Sequence, residues 1–368
     1  MNSFPRRVRL IPLLVLAISI AFGQARAAAA SPAPSPITLT DAAGRPVTFP
    51  DLPRRIVVVG KGSHIALHVL YFFPEAKTRL AGTEKWSDLA SSFLPLIDPD
   101  FPNVPMMVPN PGAEEIAALR PDLVLTRGTE ADWLSESMGK IGIPVFYLGL
   151  ESWSQYERDI ANLGILLGNE PRAREVAAYY RSRLDRVQKA TAGLSAAAKP
   201  RVLTVLWMER GGKAAVQVAP ATWMQTYQTE FGGGTPVWLD AAAGSGGWTI
   251  INLEQIAAWD PDQIYIIIWY SLDPVKIMDS IRADSRWSAL KAVKSGRLRA
   301  YPADIYGWDS PDPRWILGVM WLASSIHPEL FRDLDMTAEI EEFYVRLYGM
   351  DRKTVADIIL PAIKMDLR

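Results

Sequence analysis

The sequence predicts an α/β protein of two lobes built on one plan, joined by a single long helix, with a ligand cleft between them. Three observations carry this. The stretch Glu114-Glu115-Ile116-Ala117-Ala118-Leu119-Arg120-Pro121-Asp122-Leu123-Val124 returns 140 positions later as Glu254-Gln255-Ile256-Ala257-Ala258-Trp259-Asp260-Pro261-Asp262-Gln263-Ile264, so the chain is built twice over. Each copy opens as a short amphipathic helix beginning in acid, halts before a Pro-Asp turn and runs into an apolar stretch, Leu123–Leu125 or Ile264–Ile268. That is a helix, a turn and a buried strand. Finally, Pro171 opens a run to about Thr191 with no glycine or proline inside it, a helix of some 20 residues and about 30 Å, long enough to bridge two lobes.

The elements follow in order. Arg6, Arg7 and Arg9 precede the apolar run Leu10–Phe22 and the small-residue site Ala25-Arg26-Ala27, the layout of a secretory signal over residues 1–27. The run is shorter than the roughly 18 apolar residues of a spanning helix. After a Pro/Ala/Ser tether at Ala28–Pro36, Ile37–Pro50 reads as a hairpin turning at Asp41 and Gly44. Arg55–Gly60 is a buried strand opening through Lys61-Gly62-Ser63 into a helix that carries His64 and His68. Further strands are expected near Leu80–Gly82, Leu123–Thr126 and Val145–Leu148, giving a first lobe over 28–152. A helical connection spans 153–191, with the bridging helix from about 171. The second lobe, 192–368, is expected to repeat the alternation: strand Arg201–Trp207, helix Thr222–Phe231, the repeated unit at Leu253–Trp269, strand Leu298–Pro302, and closing helices at 313–326 and 337–348.

Composition excludes several classes. Cysteine is absent, so there is no disulfide, no thiolate metal site and no lipid-bearing cysteine. The 39 basic and 40 acidic residues give a net charge of −1, without the field that nucleic acid or an anionic membrane demands. The sequence has no G-x-S-x-G elbow, H-E-x-x-H, phosphate loop or cysteine nucleophile, so no enzyme is expected. Gly60-Lys61-Gly62 begins like a dinucleotide fingerprint, but the third glycine position is Ile65. His64 and His68 stand at helical i, i+4 spacing, yet only three histidines exist and no carboxylate-rich partner is evident; no directly bound metal is expected.

The order of a signal segment, Asp41-x-x-Gly44-Arg45-x-Val47, Arg55-Ile56-Val57-Val58, the Glu114–Val124 unit, a bridging helix and a second copy resembles the helix-linked (class III) periplasmic binding proteins of ABC importers. Those proteins bind ferric siderophores, cobalamin, haem, or molybdate and tungstate. The resemblance spans essentially the whole mature chain and implies two Rossmann-like lobes that move little on binding. It also implies a monomer that takes a small-molecule ligand, holds no cofactor and delivers to an ABC permease dimer with its ATPase subunits. The expected location is the periplasm, by a cleavable signal, with no lipid anchor, no membrane insertion and no nucleic-acid partner. In the family, glutamates matching Glu114 and Glu254 pair with permease arginines.

In α/β lobes a ligand sits outside the carboxyl ends of the strands. This rule selects Lys61, Ser63 and His64; Trp86; Arg127; Met208, Glu209 and Arg210; Tyr270; and Tyr306, Trp308 and Asp309. Trp248 joins them because it stands six residues before Glu254, where the family's vitamin B12 binders carry a cleft tryptophan. Trp259, Trp287, Trp315 and Trp321 fall on expected helices and read as packing. Arg314 opens a helix after two prolines and reads as a structural ion pair. Aromatic walls with cationic donors suit an anionic organic chelate, a ferric siderophore first. A molybdate or tungstate oxyanion is the alternative, then cobalamin or haem.

Overall fold

The computed structural model of the 368-residue chain describes Met1 and residues 36–85, 92–128, 132–210, 213–269 and 272–364. The expected signal segment after Met1, together with Trp86 and Tyr270, lies outside the described residues. Strands β1 (Ile37–Thr40) and β2 (Pro46–Phe49) form the expected antiparallel hairpin, with Ile37 opposite Phe49. The Asp41 carboxylate ties its turn by accepting from the Ala43 and Arg45 amides, and Gly44 takes the φ of 75° that the turn requires.

Five short runs, nearly all apolar, then build one parallel sheet: β3 (Ile56–Val59), β4 (Leu80–Glu84), β5 (Met106–Met107), β6 (Leu123–Arg127) and β7 (Val145–Leu148). Their order is β5-β4-β3-β6-β7. The chain reverses direction across the sheet between β3 and β6, and at such a switch point the loops diverge and leave a crevice. Every residue of β3 and β7 is buried, as strands covered on both faces must be. Each large apolar side chain so buried contributes about 1.5–3 kcal/mol.

The second sheet corrects the expectation of a plain repeat. β8 (Arg201–Arg210) runs past Trp207 and pairs antiparallel with β9 (Lys213–Val218), which pairs antiparallel with β11 (Thr249–Ile251). Only β10 (Thr235–Pro236), β8, β12 (Gln263–Ile268) and β13 (Leu298–Ala300) keep the parallel plan. Gly211-Gly212 between two alternating runs is the sequence signal of a two-residue hairpin.

The repeated unit itself is kept closely. In the helices Ala113–Ala118 and Leu253–Trp259, Glu114 and Glu254 are exposed while Ile116 and Ile256 are fully buried. Both turns carry a left-handed residue just before proline, Arg120 at φ 48° and Asp260 at φ 41°. The strain is offset in the same way twice. Asp122 accepts the Arg54 and Arg55 amides at 2.8 Å each, and Asp262 accepts the Arg201 amide at 2.9 Å. The Arg55 guanidinium caps the carbonyls of Leu119 and Arg120, while Arg201 caps that of Trp259.

Helix Trp153–Leu167 ends at Gly168, left-handed at φ 69°, and Asn169 caps the bridging helix Glu170–Thr191. Any side chain at Gly164 would collide with the Ala173 methyl, so glycine is what lets these two helices cross closely. Arg172 of the bridging helix donates to the Phe72 carbonyl and to those of Arg346 and Leu347, fastening the first half to the closing helix Met336–Tyr348. The largest apolar cluster draws on both sheets, the two connecting helices and the buried helix Trp315–Ile326. Among the described residues no helix is long and apolar enough to cross a membrane.

Candidate functional site in the cleft

The loops after β3 and β6 meet at the first switch point. Gly60 and Gly62 adopt φ of 96° and 73°. A methyl on Gly60 would strike the Thr126 hydroxyl, and one on Gly62 would lie 3.2 Å from Nη1 of Arg127. The Lys61 loop therefore rests on the end of β6. It is pinned by Glu84 at the end of β4, whose buried carboxylate accepts the Gly60 amide at 2.6 Å and the Asn110 amide at 2.9 Å. Arg127, its side chain 16% exposed, forms an ion pair with Glu151 from the loop after β7. That loop is held in turn by Asp159, which accepts the Gly149 and Leu150 amides. Burial pushes the Asp159 carboxyl up to about 6 despite Arg158 beside it.

Helix Ser63–Leu70 starts at this loop and carries the partly buried His64 and the buried His68 toward the other half. His64 lies parallel to Tyr306, ring centroids 5.1 Å apart and 10° off coplanar, and His68 meets Tyr306 edge-on at 5.0 Å. Tyr306 belongs to the loop after β13, so this stack joins the two halves. Burial first, then the neighbouring His68, lowers His64 to about 3; at neutral pH it is a neutral imidazole. Behind Tyr306 lies a fully buried charge chain. His68 Nδ1 is 2.5 Å from Asp312, which pairs with Arg314 at 2.5 Å, and Arg314 reaches Asp304 at 2.8 Å and the Tyr344 hydroxyl at 2.9 Å. Burial alone would raise Asp312, but Arg314 and His68 hold it well below the usual carboxylate range.

Lys61, Ser63, His64 and Arg127 gather at the first switch point, with Ser63 buried and Lys61 exposed, and Tyr306 reaches His64 from the other half. Trp308 departs from its expected place as a cleft wall. It is fully buried in the main cluster, donating to Asp304, because its indole is needed to fill the space beside the charge chain. Asp309 is buried too, accepting from Gln225 at 3.2 Å, and burial raises it to about 6. Arg314 is the structural ion pair that its position implied. Trp287, Trp315 and Trp321 are buried and Trp259 packs against the second cluster, as expected. Met208 packs against the main cluster, Glu209 accepts from the Trp207 indole, and the Arg210 side chain lies outside the described residues.

Sequence reasoning missed Glu151, Glu84 and Trp223. Trp223 meets Trp248 edge-to-face at 5.6 Å, both partly exposed. It lies between β9, which was not among the expected strands, and helix Met224–Phe231.

With this geometry in view, comparison with known proteins is decisive about kinship. A family model described as Periplasmic binding protein matches residues 100–305. The chain belongs to that family. Relatives agree over nearly the whole chain. The molybdate-binding protein MolA of Haemophilus influenzae is 23% identical over 333 residues, 86% of this chain and 92% of MolA. Among solved structures, a periplasmic solute binding protein from Veillonella parvula superposes with a TM-score of 0.69 at 23% identity, covering 88% of this chain and 97% of that one. The CeuE protein of Helicobacter pylori in a nickel–His complex gives 0.68 at 18% identity over 88% and 99%. The helix-linked two-sheet fold and the reading as a binding protein instead of an enzyme both hold.

Proposed function

We propose that this periplasmic binding protein takes up a tetrahedral oxyanion of the molybdate class in its cleft and delivers it to an ABC permease. One observation carries the ligand class: Arg127, a guanidinium at the switch point, lies against the glycine-rich loop Gly60-Lys61-Gly62. A guanidinium presents the planar, charged donors that the oxygens of a small anion pair with. The retreat of Trp308 into the core and the closure of Tyr306 against His64 remove two of the aromatic walls a bulky chelate would use. The similarity to MolA over 86% of the chain supports the same reading. Neutral His64 supplies a further hydrogen-bond donor without charge.

A ferric siderophore is the second reading, favoured by the partly exposed Trp223–Trp248 pair. Export by a signal in residues 1–27, delivery as a monomer and docking through Glu114 and Glu254 complete the proposal. Calorimetric titration separates the ligands: molybdate should bind the wild type, and Arg127→Ala should weaken it at least about tenfold, roughly 1.4 kcal/mol. Unchanged molybdate affinity in that variant would remove Arg127 from the site.

A further inference from the structure

The tripeptide Pro311-Asp312-Pro313 is gripped from three directions. Tyr156 of the first connecting helix donates its hydroxyl to the Pro311 carbonyl. Tyr180 of the bridging helix donates to the Pro313 carbonyl at 2.7 Å. His68, from the half of the molecule built on the first sheet, meets Asp312 at 2.5 Å. The prolines explain why this segment suits the role. They lack N–H groups, cannot join a strand ladder and bias Asp312 toward an extended backbone, leaving the carbonyls to side-chain donors.

What Asp312 holds lies directly behind the stack of His64 and Tyr306. His68 stands one helical turn from His64, with the two rings 6.0 Å apart, and the Arg314 guanidinium paired to Asp312 lies 5.4 Å from the centre of the Tyr306 ring. A shift of Asp312 would therefore move both partners of the stack between His64 and Tyr306. We propose that Asp312 is a positioning residue of the cleft: by holding His68 across the junction it keeps Tyr306 stacked on His64 and sets the cleft floor before ligand arrives. The inference rests on the reading of His64 and Tyr306 as cleft residues and does not depend on which ligand binds.

The chain has three histidines, and His327 lies elsewhere, against the Gly233 carbonyl, so ring NMR of histidine-labelled, ligand-free protein has an internal reference. Asp312→Asn should move the His64 and His68 signals and leave His327 in place; a merely structural knot would lower stability without this selective shift. His68→Gln, which keeps an N–H for Asp312, should return His64 toward its wild-type position relative to His68→Leu. If Asp312→Asn does not fold, Tyr180→Phe, which loses only a hydroxyl, should shift His64 in the same direction by less. Folded variants with an unmoved His64 signal, or with all three histidines moving together, overturn the proposal. Titration with molybdate alongside keeps the two readings apart: a wild type that ignores molybdate while His64 moves in the variants sinks the oxyanion and leaves Asp312 in its role.

Discussion

Arg127 ends a buried strand, where a long cationic side chain has to be accommodated by its surroundings. Glu151 supplies the counter-charge, so an incoming anion competes with a carboxylate for the same guanidinium. Glu151→Gln should therefore tighten molybdate binding by about two- to fivefold, from lost competition of a partly exposed charge; weaker binding would mean that Glu151 helps to orient Arg127 instead. Asp309 offers a separate test. Its folded value of about 6 lies above the ordinary 3.8 because burial disfavours the anion, although Gln225 donates to it. The folded state keeps the proton longer than the unfolded chain, so this group's contribution falls as pH rises from about 4 to about 6. Asp309→Asn should stabilise the protein by on the order of 1–3 kcal/mol above that window and by little below it. An equal change at both pH values in denaturant melts would contradict this. At this scale the sequence reveals types but not depths. The strand-end rule selected Arg127, His64 and Tyr306, yet it could not tell that Trp308 and Asp309, from the same loop as Tyr306, turn into the core, Trp308 toward Asp304 and Asp309 toward Gln225.

The repeated helix-and-turn unit shows what is legible at the scale of elements. Its acids, its Pro-Asp turn and its following strand were all readable, because each has a local cause: exposed carboxylates at the positive end of a short helix, a left-handed residue before proline and an aspartate that caps the strand start. The β8–β9 hairpin was less legible, since its pairing partner is set by tertiary context and only Gly211-Gly212 announces it. Glu114 and Glu254 remain exposed at equivalent places in their two helices, which the proposed docking requires. Replacing both with Ala should leave ligand affinity intact and reduce transporter-stimulated ATP hydrolysis, with single replacements mild because exposed ion pairs are individually weak. Lost ligand affinity in the double variant would argue that these glutamates serve the cleft instead.

Across the whole molecule, three ties limit relative movement of the halves: the 22-residue bridging helix, the Arg172 clip to the closing helix and the buried chain from His68 to Asp304. Opening would break the His68–Asp312 hydrogen bond and leave a buried carboxylate one partner short, at a cost of about 1.5–3 kcal/mol, so wide opening is opposed. Solution scattering of free and loaded protein should differ by no more than a few degrees of lobe rotation; a large compaction on loading would show that the ties yield. The long helix was legible because nothing within it interrupts helix formation, whereas the charge chain was not, since His68 and Asp312 lie 244 positions apart.

Elemental analysis with native mass spectrometry, on protein purified from its native host without chelators, decides the ligand class. Molybdenum or tungsten is expected at up to one atom per chain with no accompanying organic mass. Iron together with an organic mass would contradict this and return the cleft to the siderophore reading.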